Sequence, residues 1–176
     1  MKVRILCCID DGEPAALALV TAIQLACKLN AFLTLLSVNP LLPGRGAPIC
    51  LRPEPYVSEL LEAAARKARW AGLTHVEQDR CHALDVAEAI VAHAEEGEVD
   101  YIVLGTRDRS GVARALGGSV SRSVIAKANC PVIAVRRIRE QHRTRSKGGL
   151  REPNVLHEPP PQPVDRRFEA PEGGVC

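Results

Sequence analysis

Two segments of the chain hold the residue types that a phosphate or sugar ligand needs. The first is Ile9-Asp10-Asp11-Gly12, two carboxylates and a glycine directly after an apolar run. The second is Leu104-Gly105-Thr106-Arg107-Asp108-Arg109-Ser110-Gly111, which leads on to Gly117-Gly118-Ser119-Val120. Glycine carries no Cβ, so backbone at such a position can approach a ligand closely. A Gly-Gly-Ser entering a helix presents free N–H groups and the positive end of the helix dipole, both suited to phosphate. Ser119 adds a hydroxyl donor. Taken singly, these residues also make ordinary turns and a helix cap. It is the two strand ends and the second glycine cluster together that point to an anionic ligand.

Other chemistry finds less support. No nucleophile, base and orienting acid can be assembled from chain order. His93 falls on an apolar helical face, where a satisfied core-edge histidine is the usual occupant. His75 and His82 flank a weak strand, and no Cys or His spacing matches a zinc site. The arginines after Gly105 lack interleaved aromatic residues, which favours a phosphate-facing or solvated loop over an RNA surface. A formal net charge of +2 gives no global case for nucleic acid. The basic excess is local, near Arg107–Arg122 and Arg136–Arg151. Seven cysteines at irregular spacing read as buried reduced thiols of a cytosolic protein, not as a disulfide framework. Cys7 and Cys8, adjacent in one apolar run, should point to opposite faces of a sheet. No window supplies the ~20 apolar residues of a membrane helix. The N-terminus enters a strand at once, leaving no room for a signal peptide, so the expected compartment is the cytoplasm.

These segments must be positioned by the elements around them. Val3–Ile9 reads as a strand buried on both faces. Glu13-Pro14 opens a helix with an inward stripe of Ala16, Leu19, Val20, Ile23 and Cys27, with Thr21, Gln24 and Lys28 opposite. Ala31–Val38 is a second buried strand, ending at Asn39-Pro40. Pro40–Pro55 is a long loop carrying Arg45 and Arg52, of the kind that covers sites. Tyr56–Ala71 is helical, with Val57, Leu60, Leu61, Ala64 and Ala68 facing in and Glu62 and Arg66 paired outside. Thr74–Arg80 is a polar strand suited to a sheet edge, and Asp85 caps a helix whose inward face is Val86, Ala89, Ile90 and His93. Asp100–Leu104, a helix over Val120–Ala128 and a last strand at Pro131–Val135 complete the pattern. Strict alternation argues an α/β fold with a parallel sheet and helices on both faces. With so few aromatics, Ala, Val, Leu and Ile must fill its core. From residue 138 to 176 the chain is rich in Arg and Pro and is read as a disordered tail, which leaves one domain over residues 1–137.

In such a sheet, ligands bind beyond the carboxyl ends of the strands where the winding reverses. At this point the sequence resembles the universal stress protein family over about residues 2–136. The residues that carry the resemblance are Ile5-Leu6-Cys7-Cys8-Ile9-Asp10, Ala31–Val38, Leu84–Ile90, Asp100–Gly105, Gly118-Ser119-Val120-Ser121 and Cys130-Pro131-Val132. Leu84 and Val86 stand where the family's helix entry has Gly and Pro. The resemblance implies a five-stranded, Rossmann-like three-layer sandwich of order 3-2-1-4-5, and a homodimer paired through the last strand. It also implies an ATP or AMP site. There Asp10 would hold the ribose, and Ile9 and Val38 would line the adenine pocket. Leu104, Gly105 and Arg107 would touch base, sugar or phosphates, and Gly118, Ser119 and Val120 would take the phosphates. Asp10 and Asp11 are then read as ribose-holding or capping groups before catalytic ones. Gly12 stands where many members have Ser.

The nucleotide-binding branch of that family spaces its phosphate motif as Gly, two residues, Gly, nine residues, Gly, then Ser or Thr. Here this maps onto Gly105, Asp108, Gly118 and Ser119, with the middle glycine replaced by aspartate. A carboxylate ~6 Å from a phosphate charge costs roughly 2–3 kcal/mol at an effective dielectric of ~20, and a few tenths when solvated and screened. Arg107 and Arg109 flank Asp108 and can neutralise it, or Asp108 can help hold a Mg²⁺ that bridges the phosphates. The expected function is therefore a stress-response regulator that binds an adenine nucleotide and acts through binding and dimerisation. At most it hydrolyses ATP slowly, or phosphorylates itself at Ser110 or Ser119. The alternative is a scaffold of the same fold, with a dead pocket and an unknown protein partner.

Overall fold

A computed structural model of the chain describes residues 2–106 and 120–136. In chain order the elements are β1 (Arg4–Cys8), α1 (Glu13–Leu29), β2 (Phe32–Leu42), β3 (Ile49–Cys50), α2 (Glu54–Trp70), β4 (Val76–Ala83), α3 (Val86–Glu96), β5 (Tyr101–Gly105), α4 (Val120–Lys127) and β6 (Val132–Val135). Apolar runs with no polar face form β1, β2 and β5, because both faces are covered. The parallel strands run β4-β2-β1-β5-β6, the expected order once β3 is set aside. Helices α1 and α2 cover one core layer with Ile5, Cys7, Leu33, Leu35 and Val103. On the other face α3 and α4 cover Leu6, Leu36, Ile102 and Leu104. Cys7 and Cys8 fall on these opposite faces, as adjacent strand residues must.

The sheet has six strands and not five. Asn39-Pro40 does not end β2, which runs on to Leu42. Proline lacks a donor, but its carbonyl is free to pair, and that of Pro40 accepts the Leu51 N–H at 2.8 Å. The segment expected to be loop therefore folds back as β3, antiparallel to Leu41 and Leu42. β4 spans Val76–Ala83, later than Thr74–Arg80, and pairs with β2 alone among the described strands.

Helix faces also shift from the expected ones. α1 buries Ala15, Ala18, Leu19, Ala22 and Ala26 and leaves Ala16, Val20 and Cys27 exposed. Nearly the whole helix is apolar, and the sheet takes the side with the smallest residues because that side comes closest. α2 begins at Glu54 and buries Val57, Leu61, Ala64, Ala65 and Ala68, with Leu60 half-buried and Glu62 3.8 Å from Arg66 outside. The Asp85 carboxylate caps α3, accepting from Ala87 N at 2.9 Å and Glu88 N at 3.0 Å. α3 buries Ala87, Ile90 and Ala94, while Val86, Ala89 and His93 sit at the rim. His93 Nε2 lies 3.3 Å from Asp79 Oδ2, a core-edge histidine satisfied by a carboxylate. Cys7, Cys8, Cys27, Cys50, Cys81 and Cys130 are free thiols, and Cys27 and Cys50 are exposed, contrary to the expectation of burial. Among the described residues no helix is long and apolar enough to cross a membrane. The tail expected over residues 138–176 lies outside the described residues.

Candidate functional site

The chain winds from β1 out to β2 and β4, then returns to lay β5 and β6 on the other side of β1. The reversal falls between β1 and β5, and their carboxyl ends carry the two segments singled out above. Ile9 N donates to Leu36 O at 2.8 Å, which holds the end of β1 on β2. Asp10 then leaves the sheet, exposed, and its Oδ1 accepts the Gly12 N–H at 2.6 Å. Gly12 is the N-cap of α1 and provides no side-chain cap, while Pro14 occupies the first turn.

Asp11 points toward the β3–α2 junction. Its Oδ1 accepts from Arg52 Nη2 at 2.8 Å and its Oδ2 from Tyr56 Oη at 3.3 Å. Burial pushes the Asp11 carboxyl up, but the hydrogen bond and charge of Arg52, with help from Tyr56, outweigh it and hold the group below its ordinary range. Sequence reasoning named Arg52 only as a loop residue. The backbone of Arg52 is itself pinned by Asn39, 2% exposed, whose Oδ1 accepts from Arg52 N at 3.1 Å and whose Nδ2 donates to Arg52 O at 2.8 Å. Asn39 could have been found as a polar residue inside a long apolar run.

Gly105 ends β5 directly under the first turn of α1. A Cβ there would lie 2.4 Å from Pro14 C, 2.5 Å from Ala15 N and 2.6 Å from Pro14 O. The close approach expected of this glycine is thus made to the helix backbone. Thr106 follows, with its N–H donating to Val135 O at 2.8 Å and its hydroxyl 3.0 Å from the Ser121 hydroxyl. Ser121, 7% exposed, lies in the first turn of α4. Residues 106 and 121 bracket the loop expected to hold phosphates, so this hydroxyl pair ties its two ends together. The pair was missed because neither residue stands out within its own segment.

The expected site residues are distributed as follows. Asp10 and Gly105 lie at the carboxyl ends of the adjacent strands β1 and β5. Val120 is exposed at the start of α4. Ile9, 6% exposed, belongs to the core layer under α1 and α2, whereas half-buried Val38 packs against the other layer. The side chains of Ile9 and Val38 therefore sit on opposite faces of the sheet. Leu104 is buried under α3 and α4. Arg107, Asp108, Gly118 and Ser119 lie outside the described residues. A separate cleft of about 280 Å³ lies between α3 and the amino halves of β1, β2 and β4, lined by Arg4, Asp79 and His93 among others. It is at the other end of the strands from the candidate site.

The family model described as the universal stress protein family matches residues 1–136. Universal stress protein YxiE of Bacillus subtilis (strain 168) is 32% identical over 153 residues, covering 76% of this chain and 98% of that protein. A universal stress protein solved in complex with cAMP superposes with a TM-score of 0.63 at 24% identity, covering 77% of this chain and 97% of that one. A universal stress protein from Archaeoglobus fulgidus, solved in complex with dAMP, gives 0.57 at 26% identity, covering 77% and 99%. A parallel sheet wound outward from β1, a carboxylate at the end of β1, a glycine locked under α1 at the end of β5, and these matches over the same residues lead to one conclusion: the chain belongs to the universal stress protein family.

Proposed function

We propose that this protein is a cytoplasmic stress-response regulator that binds ATP or AMP at the carboxyl ends of β1 and β5. It acts through binding and dimerisation and not through rapid turnover. The observation that carries this reading is that Asp10 and Gly105 stand at the carboxyl ends of adjacent strands at the winding reversal, with the Thr106 and Ser121 hydroxyls 3.0 Å apart beside them. Two structurally similar proteins of the family hold cAMP and dAMP. In this reading Asp10 takes the ribose hydroxyls, and Val38 and Leu104 border the base from the α3–α4 face, while Ile9, whose side chain lies on the other face, contributes only backbone at the end of β1. Arg107, Gly118, Ser119 and the N-terminal turn of α4 at Val120 take the phosphates, with Asp108 either solvated or sharing a Mg²⁺ with them. β6 pairs with β5 alone among the described strands, and an open strand edge is usually covered. That supports a homodimer through β6.

One residue favours a second reading. Asp108 stands at a position where the nucleotide-binding branch has glycine, and an obstructive carboxylate there would leave a scaffold that works through its surfaces. Thermal unfolding of the full chain separates the two. A ligand at ~100 times its Kd stabilises the native state by about 2.7 kcal/mol. ATP, AMP and cAMP should therefore raise the Tm and GTP should not. No shift with any adenine nucleotide would refute the regulator reading and leave the scaffold.

A further inference from the structure

A second cluster of chemistry-bearing side chains lies at the carboxyl ends of β2 and β4, apart from the nucleotide site. Cys50 of β3, Glu54 at the start of α2 and His82 of β4 each place one potential ligand atom within 4.8 Å of the other two. All three are exposed. His82 Nε2 lies 2.5 Å from Glu54 Oε1, while the second oxygen of Glu54 lies 3.6 Å from Arg80 Nε. We propose that Cys50, Glu54 and His82 form a binding site for a divalent metal of borderline softness, best matched by Zn²⁺.

The sheet register creates this meeting, which no linear spacing reveals. Cys50 pairs with Leu41 and His82 with Asn39, two residues apart on the carboxyl extension of β2. Between Cys50 and Glu54 the chain is fastened to that same extension. Leu51 N donates to Pro40 O at 2.8 Å, and buried Asn39 bonds both the N–H and the C=O of Arg52. The three donors thus project from a backbone that is already held in place.

Thiolate, imidazole and carboxylate are together the donor set of Zn²⁺, with bonds of about 2.0–2.3 Å in a tetrahedron. Such bonds place neighbouring ligand atoms roughly 3.4 Å apart, so the 2.5 Å His82–Glu54 contact must open to admit the metal, while the separations from Cys50, all within 4.8 Å, adjust toward the same value. One thiolate and one carboxylate neutralise the dication, and the thiol proton released on binding passes to solvent. The Arg80 guanidinium, with Nε 3.6 Å from Glu54 Oε2, stands beside the second carboxylate oxygen, where outer partners stand at metal sites. Three protein ligands leave the fourth position to water.

The test uses the full-length, reduced, metal-free protein without nucleotide, titrated with Co²⁺ and then with Zn²⁺. The expected result is tetrahedral Co²⁺ absorption with a thiolate-to-metal charge-transfer band, displaced by Zn²⁺. Cys50→Ser should abolish that band, and His82→Ala should weaken Zn²⁺ binding by at least about tenfold, since even outer-shell changes cost that much. Cys27→Ser and Cys176→Ser should change neither. Zn²⁺ should also protect Cys50, and not Cys27, from alkylation as read by peptide mass. Absence of the charge-transfer band in wild type, or its survival in Cys50→Ser, would overturn the proposal. Asn39→Ala separates placement from ligation, because it should weaken Zn²⁺ while retaining the thiolate band.

Discussion

Replacing Gly105 with alanine tests how the carboxyl end of β5 is packed against α1. The added Cβ would sit 2.4–2.6 Å from three backbone atoms of Pro14 and Ala15. Ordinary contact needs about 3.5 Å or more, so the first turn of α1 has to retreat by roughly 1 Å from β5. Backbone cannot swing aside as a side chain does, and Pro14 stiffens that turn further. Overpacking of a well-filled core costs about 1–3 kcal/mol, and a clash confined to backbone belongs at the upper end. Nothing in the cost comes from backbone conformation, because Gly105 does not occupy the left-handed region. With a urea m-value of ~1–3 kcal/mol/M, a loss of about 3 kcal/mol lowers the unfolding midpoint by roughly 1–3 M at unchanged m. Gly46→Ala is the control, since a Cβ there meets nothing within 4 Å; its stability should change by no more than about 0.5 kcal/mol. The assay is urea unfolding of both variants without nucleotide. If Gly105→Ala were as stable as Gly46→Ala and lost only nucleotide affinity, the glycine would serve ligand approach, and the packing argument would be refuted.

Other outcomes follow from the same geometry. Asn39→Ala removes two hydrogen bonds to the Arg52 backbone at a 2% exposed position; it should cost about 2–3 kcal/mol in urea unfolding, and a neutral result would contradict the pinned junction. Asp11 is held below its ordinary value of 3.8 against the opposing effect of burial, and Asp85 is held below it by the Glu88 and Ala87 N–H groups. Their stabilisation is complete above pH ~4 and lost as pH falls through the lower folded values. The midpoint of wild type should therefore fall on acidification below pH ~4, and that of an Asp11→Asn/Asp85→Asn variant should fall less. Burial raises the Cys7 thiol well above its ordinary value and raises that of Cys8 to about 12, with Asp10 adding to the effect at Cys8. A disulfide reagent at neutral pH should label exposed Cys27 and Cys50 in the native protein and leave Cys7 and Cys8 for the denatured one.

The parts legible in the sequence were those in which one force dominates. The doubly buried strands show as unbroken apolar runs, and strand–helix alternation argues a parallel sheet, while its order around β1 came only with the family resemblance. The cap at Asp85 stood out because a short acidic side chain before an apolar run has one local use. α1 was harder. Its sequence is apolar on nearly every side, so the stripe of Ala16, Leu19, Val20, Ile23 and Cys27 read from periodicity shares only Leu19 with the residues that the sheet buries. Asn39-Pro40 reads locally as a strand end; β3 and the extension of β2 form because each supplies the other's backbone partners, which is invisible until the chain folds back. For the candidate site, Asp10 and Gly105 were identified from their places at strand ends. The Thr106–Ser121 pair, the Asp11–Arg52–Tyr56 contacts and the Cys50, Glu54, His82 cluster each join residues from separate elements that are unremarkable alone.

The central claim, an adenine-nucleotide site at the reversal between β1 and β5, is tested most directly by calorimetric titration of ATP into the full chain. Wild type, Asp10→Ala and Asp108→Gly are compared, each with and without Mg²⁺. Saturable binding is expected for wild type, abolished or strongly weakened in Asp10→Ala and retained in Asp108→Gly, with a Mg²⁺ dependence that diminishes in the glycine variant if Asp108 shares the metal. Binding by Asp108→Gly alone would mean that the aspartate has closed the pocket and that the natural protein is a scaffold. Binding by none of the three would contradict the site itself.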